Sequence, residues 1–302
     1  MHPRSRHHSR YDLKQLTKIC PELLAHVFAN KYGDESVDFA NPESVKLLNK
    51  AILMDSYGVT CWDIPENYLC PPVPGRADYL HYVSDVLATS AGGEIPRGPK
   101  VVGLDIGVGA NCIYPLIGQF EYGWSFVGAE VDEVALQSAK IILEKNKKVN
   151  IELRHQKSSE QMFQGIIKEN ELFDFTMCNP PFHSSAEEAA QGTQRKLKNL
   201  GLKKNVLNFG GKKNELWCPG GEKTFIGQMI EESSGFADKC LWFTSLVSKS
   251  ENIPYLENLL RVTRAIDVRV IDMSQGQKRS RILAWSFKDK NQQLEWATKR
   301  WI

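Results

Sequence analysis

The chain has 302 residues, with 38 lysines and arginines against 36 aspartates and glutamates, so its formal net charge is only +2. A balance this even excludes a polyanion partner held by bulk charge, and any nucleic-acid contact has to come from local clusters. Hydrophobic residues make up 42% of the chain, enough for one large domain or a medium and a small one, and no apolar run approaches the ~20 residues that span a bilayer.

The seven cysteines (Cys20, Cys61, Cys70, Cys112, Cys178, Cys218 and Cys240) are odd in number and lack the paired spacing of a zinc knuckle or redox dithiol. With a polar, basic start and no apolar stretch behind it, this reads as a cytoplasmic chain with reduced thiols, no metal, no membrane segment and no secretory signal. No oligomeric partner is indicated.

Arg4, Arg6 and Arg10, set among His2, His7 and His8, form a short basic arm, either a solvated terminus or a nucleic-acid contact. From Tyr11 to Ala29 the apolar spacing fits a helix pair broken near Pro21. Asn41-Pro42 then caps and opens a second helical stretch. Residues 63–75 hold too many prolines for a regular element, and a helix follows over Tyr79–Leu87. The glycines and prolines of 91–99 read as a linker. They divide a mainly helical region, 1–90, from a second domain, 91–302.

Beyond that boundary short apolar runs alternate with helical stretches. The runs are Val101–Asp105, Ser125–Glu130, Asn150–Arg154, Phe173–Cys178, Cys240–Val247, Ala265–Ile271 and Arg281–Phe287. Glu133–Lys145 and Thr224–Glu232 are among the helices between them. Such alternation predicts an α/β fold with a seven-stranded, mostly parallel sheet covered on both faces. The last two runs leave no room for a helix between them and predict an antiparallel edge. A strand-free insertion, 183–220, interrupts the rhythm; its basic residues include Arg195, Lys196, Lys203, Lys204, Lys212 and Lys213. It is a solvated loop or, from its position, a functional one.

Three motifs carry chemistry. The strand Val101–Asp105 runs into Gly107 and Gly109, with Cys112 where a dinucleotide fingerprint would place its third glycine. Asp105 before the glycines would repel a pyrophosphate, whereas an adenosine joined to a cationic sulfonium suits the bend. Glu130 closes the next strand, where a carboxylate can accept both hydroxyls of a ribose. Asn179-Pro180-Pro181-Phe182 follows the strand Phe173–Cys178. Two prolines stop the strand rigidly, the Asn179 side chain and the Pro180 carbonyl offer two acceptors to a planar amine, and Phe182 gives a base a face to stack on. Transfer of a methyl group by positioning and electrostatics needs no metal and no strong base.

With these residues the chain resembles the class I, Rossmann-like methyltransferases, and within them the bacterial 23S rRNA adenine-N6 methyltransferase F family and its eukaryotic methyltransferase-like relatives. The resemblance also runs through His2-Pro3-Arg4, Trp62-Asp63-Ile64-Pro65, the segment Pro72 to Tyr79, Asp105 through Pro115, Gln275-Gly276-Gln277 and Ala284–Phe287. It implies S-adenosylmethionine as donor, touched by Arg76, Gly107, Asn111, Glu130, Ser158 and Asn179, and transfer to the N6 amine of one adenine in 23S rRNA or a large-subunit precursor. Asn111 stands where some relatives have serine, and Ser158 where some have threonine. The resemblance also implies an RNA or active-site contact by Lys157 and RNA contact by the N-terminal region.

Other positions stay open. His155 and His183 read as structural or RNA-facing; Lys249, Lys278, Arg279 and Arg281 suit phosphates or solvent equally. An Asn-Pro-Pro box also serves a glutamine amide, so a protein substrate stands as the rival, as does an idle RNA-binding assembly factor.

Overall fold

The computed structural model describes residues 1–146, 149–185, 187–188, 213–275 and 278–301. Helix α1 (Leu13–Ile19) leads into a 3-10 turn (Pro21–His26), then strands β1 (Val27–Ala29) and β2 (Glu35–Val37) pair antiparallel. The second half of the expected helix pair is therefore a 3-10 turn and a strand: Pro21 cannot donate to an α-helical ladder. Helix α2 (Pro42–Tyr57) is capped by the Asn41 side chain, as the sequence predicts, and ends at Gly58 in the left-handed conformation. Helix α3 (Val73–Ala88) starts earlier than expected, because Pro74 lies in its first turn, where a missing N–H costs nothing. That extension places Arg76 on the helix.

The sheet then builds through β3 (Val102–Ile106), α4 (Ile113–Tyr122), β4 (Ser125–Glu130), α5 (Glu133–Lys145), β5 (Ile151–His155) and β6 (Phe173–Cys178). The end of the insertion holds α6 (Lys213–Leu216), and after it come α7 (Gly221–Ser233), β7 (Cys240–Val247), α8 (Ile253–Val262), β8 (Asp267–Gln275), β9 (Lys278–Ser286) and α9 (Lys290–Arg300). The strand order is β5-β4-β3-β6-β7-β9-β8, with β9 antiparallel to both β7 and β8 and the other pairs parallel. This is the seven-stranded, mostly parallel sheet with an antiparallel edge. Strand β8 runs further than its apolar stretch suggests, since the hairpin pairing continues to Gln275 through polar residues.

Strands β6 and β7 are buried along their whole length, as both sheet faces are covered. One core joins Leu13, Leu53, Tyr79, Ile117, Phe175 and Trp242, so the N-terminal helices and the sheet share packed side chains across the 91–99 stretch. The other face packs α7 and α8 through Ile226, Met229, Leu256 and Leu260. Gly103 in β3 is required by that density: a Cβ there would lie 2.4 Å from the Phe175 ring and 2.8 Å from Phe126.

The basic arm folds back onto the body. His2 is buried and bonds Asp85 at 2.8 Å, and Arg4 donates to Asp85, Ser84 and the His81 carbonyl. Arg6 pairs with Glu121, and the largely exposed Arg10 with Asp34. At the other end Asp174, wholly buried, accepts from Arg300, the Trp296 indole and the Val102 backbone, pinning α9 under the sheet. Among the described residues no helix is long and apolar enough to cross a membrane.

Candidate active site

A cavity of about 470 Å³ opens at the carboxyl ends of β3, β4 and β6, where open α/β sheets hold their ligands. The β3–α4 bend forms its floor. Gly107 (φ +73°) and Gly109 (φ +65°) both take the left-handed conformation that favours glycine. A Cβ on Gly107 would meet nothing within 4 Å, so the backbone is laid open to whatever enters. The Gly107 and Val108 amides both donate to the Ala129 carbonyl, which locks the bend to the end of β4. The Asn111 side chain accepts the Ile113 amide just before α4, and its carbonyl accepts the Trp62 indole N–H at 2.8 Å.

Glu130 is 8% exposed and accepts backbone amides of Gly109, Val131 and Asp132 at 2.8–3.0 Å. Burial raises its pKa against the pull of those amides. A carboxylate has about four lone-pair sites, so acceptor capacity remains on the cavity side. Asp105 is fully buried at the tip of β3, and neither carboxylate oxygen has a partner. Burial, with Glu130 close by, pushes its carboxyl up to about 8 despite Arg76. Arg76 lines the cavity from α3, donating to the Tyr114 hydroxyl at 2.7 Å.

Asn179 and Pro181 line the opposite wall. The Asn179 Oδ1 atom is buried and unpartnered. An unpaired buried acceptor costs roughly 1–3 kcal/mol, and this one stands at a cavity wall where a donor could satisfy it. A chain of hydrogen bonds that the sequence reading missed sets its position. Thr244 donates to the Thr176 carbonyl, Tyr79 donates to Thr244 at 2.7 Å, and the Cys178 amide reaches the Tyr79 oxygen at 3.4 Å. Tyr79 lies within the family-like segment from Pro72 and is the legible part of this signal; Thr244 carries none.

The structure thus brings Arg76, Gly107, Gly109, Asn111, Glu130, Asn179 and Pro181 to one cavity. Asp105 lies behind the wall, and Pro180 and the half-buried Phe182 are off it. Ser158 is also off the wall; its neighbours Gln156 and Ser159 line the cavity. Lys157 is exposed beyond it. Lys203, Lys204 and Lys212 lie outside the described residues, and Lys213 opens α6. Among the described residues no group of three or more His, Cys, Asp or Glu side chains is arranged to hold a metal ion.

A family profile described as RNA methyltransferase matches residues 1–289. The chain belongs to that family. The ribosomal RNA large subunit methyltransferase F of Pectobacterium carotovorum subsp. carotovorum is 56% identical over 303 residues, covering 99% of this chain and 97% of that protein. The protein of the same name from Photobacterium profundum is 52% identical over 322 residues, covering 100% and 95%. Among solved structures, the human METTL16 catalytic domain in complex with MAT2A 3'UTR hairpin 1 is 29% identical with a TM-score of 0.80, covering 96% of each chain. The N-terminal domain of human METTL16 in complex with SAH has a TM-score of 0.76 at 29% identity, covering 96% of this chain and 99% of that one. The chain is accordingly a class I methyltransferase that acts on RNA with S-adenosylmethionine as methyl donor.

Proposed function

We propose that this chain methylates the exocyclic N6 amine of an adenine in 23S rRNA, in the cytoplasm, on the free rRNA or a large-subunit precursor. The bacterial relatives' name and the Asn-Pro-Pro-Phe box support that reading. The observation that carries it is the unpartnered Asn179 Oδ1 on the same cavity as the Gly107–Gly109 bend.

S-adenosylmethionine, when bound, supplies a methyl group made electrophilic by its sulfonium. The residues present fit such a donor. On the cavity wall Arg76 suits the donor's carboxylate and Glu130 the ribose hydroxyls, while the orphaned Asp105 carboxylate acts from behind the wall, its charge favouring the donor's cationic end. The open backbone at Gly107 allows close approach, and Gly109, Asn111 and Ser158 belong to the same donor half of the reading. On the acceptor side Asn179 Oδ1 and the Pro180 carbonyl each accept one amine hydrogen. That holds the nitrogen so that its lone pair faces the donor, while Pro180 and Pro181 keep both acceptors rigid. Phe182, read from the sequence as a stacking face for the base, stands next in the chain but off the cavity wall.

RNA is held through phosphates by Lys157 and the insertion lysines Lys203, Lys204, Lys212 and Lys213, with the 1–90 region and its arginines Arg4, Arg6 and Arg10 contributing. Arg10 is the most available of the arm residues, since all three pair with acids of the chain but its side chain is by far the most exposed. Mass mapping of rRNA from cells with and without the gene tests the function. One adenine losing a single methyl group supports it. An unchanged rRNA map together with loss of a methyl mark on a ribosomal protein would replace it with the glutamine-amide reading.

A further inference from the structure

We infer that Trp217 forms an aromatic face of the acceptor-base site, delivered there by the end of the basic insertion. The inference rests on the amine-methylation reading above and names a residue for it.

The insertion leaves the fold after Phe182 and returns through α6, and its two ends are tied together. The His183 amide donates to the Leu216 carbonyl at 3.0 Å, and the Cys218 amide to the His183 carbonyl at 3.1 Å, forming a parallel bridge between His183 and Trp217. Gly221 (φ +67°) packs against this neck: a Cβ there would come 3.2 Å from the Ser184 nitrogen. Trp217 is therefore fixed by backbone bonds to a residue four positions beyond Asn179. Its half-buried side chain lines the cavity with Asn179, Pro181, Cys218 and Phe225.

The direction of the segment matters. Glu215, two residues earlier, accepts the Leu69 amide at 3.0 Å and lies by the Gly109 bend. The returning segment thus runs from the glycine bend at Glu215 to the Asn179 wall at Trp217. A base drawn out of an RNA stack needs a π-face to replace the one it leaves. Phe182 is off the wall, whereas Trp217 is on it.

The test measures methyl transfer to deproteinised 23S rRNA from cells lacking the gene, with donor affinity read separately by equilibrium binding. Trp217→Ala keeps the neck, because the bridge is made by backbone atoms. It is expected to lower kcat about 10- to 100-fold, the order of one lost base–aromatic stack. RNA affinity, set by phosphate contacts, and donor affinity stay within about twofold. Trp217→Phe is expected to retain kcat within about threefold. An unchanged kcat in Trp217→Ala beside an inactive Asn179→Ala overturns this inference alone. So does a loss matched by equal losses in donor affinity and melting temperature, or one that Trp217→Phe does not recover. Full activity in Asn179→Ala overturns the underlying reading instead.

Discussion

Asp105 is an acid buried without a partner at the one strand tip where a cationic ligand is expected. With its pKa near 8, much of the population is protonated at neutral pH in the free chain. A cationic donor favours the ionised form, so binding releases a proton below pH 8. Donor affinity should therefore rise with pH from 6.5 towards 8, by at most about tenfold per unit, and level off above. Asp105→Asn should flatten that slope; a pH-independent affinity in the unaltered chain would remove Asp105 from the donor site. Tyr79 acts through position alone, its hydroxyl joining Thr244 to the Cys178 amide one residue before Asn179. Tyr79→Phe should reduce kcat about tenfold or more with donor affinity unchanged, and a normal kcat would show that β6 ends correctly without it. Among site residues, the glycine bend, Glu130 and Asn179 were legible because each is a rare residue type at a strand end. Trp217, Tyr114 and Phe225 were not, since aromatic residues in a sequence look alike whether they face a core or a cavity.

At the scale of elements, buried polar anchors decide what stays packed. Asp174 on β6 holds both Arg300 and Trp296 of α9. Asp174→Ala leaves the guanidinium half-buried and unpaired, which should cost roughly 3 kcal/mol. The denaturation midpoint checks this, and a shift under about 1 kcal/mol would mean α9 is held by apolar contact alone. The N-terminal segment is anchored by His7 on the Tyr57 hydroxyl and by Arg4 and His2 on α3, whose His81 bonds the Tyr122 hydroxyl. Burial pushes both His7 and His81 down to about 4. Unfolded histidines titrate near 6.5, so between these values the unfolded chain binds more protons and stability falls as pH falls. The loss is at most ~1.4 kcal/mol per pH unit per histidine. A melting temperature that holds steady from pH 7 to pH 5 would contradict it. The strands Ser125–Glu130, Phe173–Cys178 and Cys240–Val247 were readable to the residue because apolar residues dominate each of them. The arm's packing was hidden, since Arg4 and His2 find their partners some 80 residues away.

Across the whole molecule, the even charge leaves RNA affinity to local clusters. Neutralising Lys203, Lys204, Lys212 and Lys213 together should weaken RNA binding and lower its dependence on salt, by up to about one unit of log–log slope for each phosphate no longer neutralised. An unaltered slope would assign the insertion a different task. The fold itself was legible because strand and helix patterns alternate along the chain. What the sequence could not give is the seating of the N-terminal helices on the sheet, a matter of side chains such as Leu53 and Tyr79 sharing one core with Phe175 and Trp242. The central claim is that one buried side-chain oxygen aims the target amine at the donor, and single-turnover methyl transfer by Asn179→Ala tests it most directly. The expected result is a rate at least about a hundredfold lower with RNA and donor affinities within a few fold of the parent. A rate equal to the parent's, with both ligands bound, would contradict it.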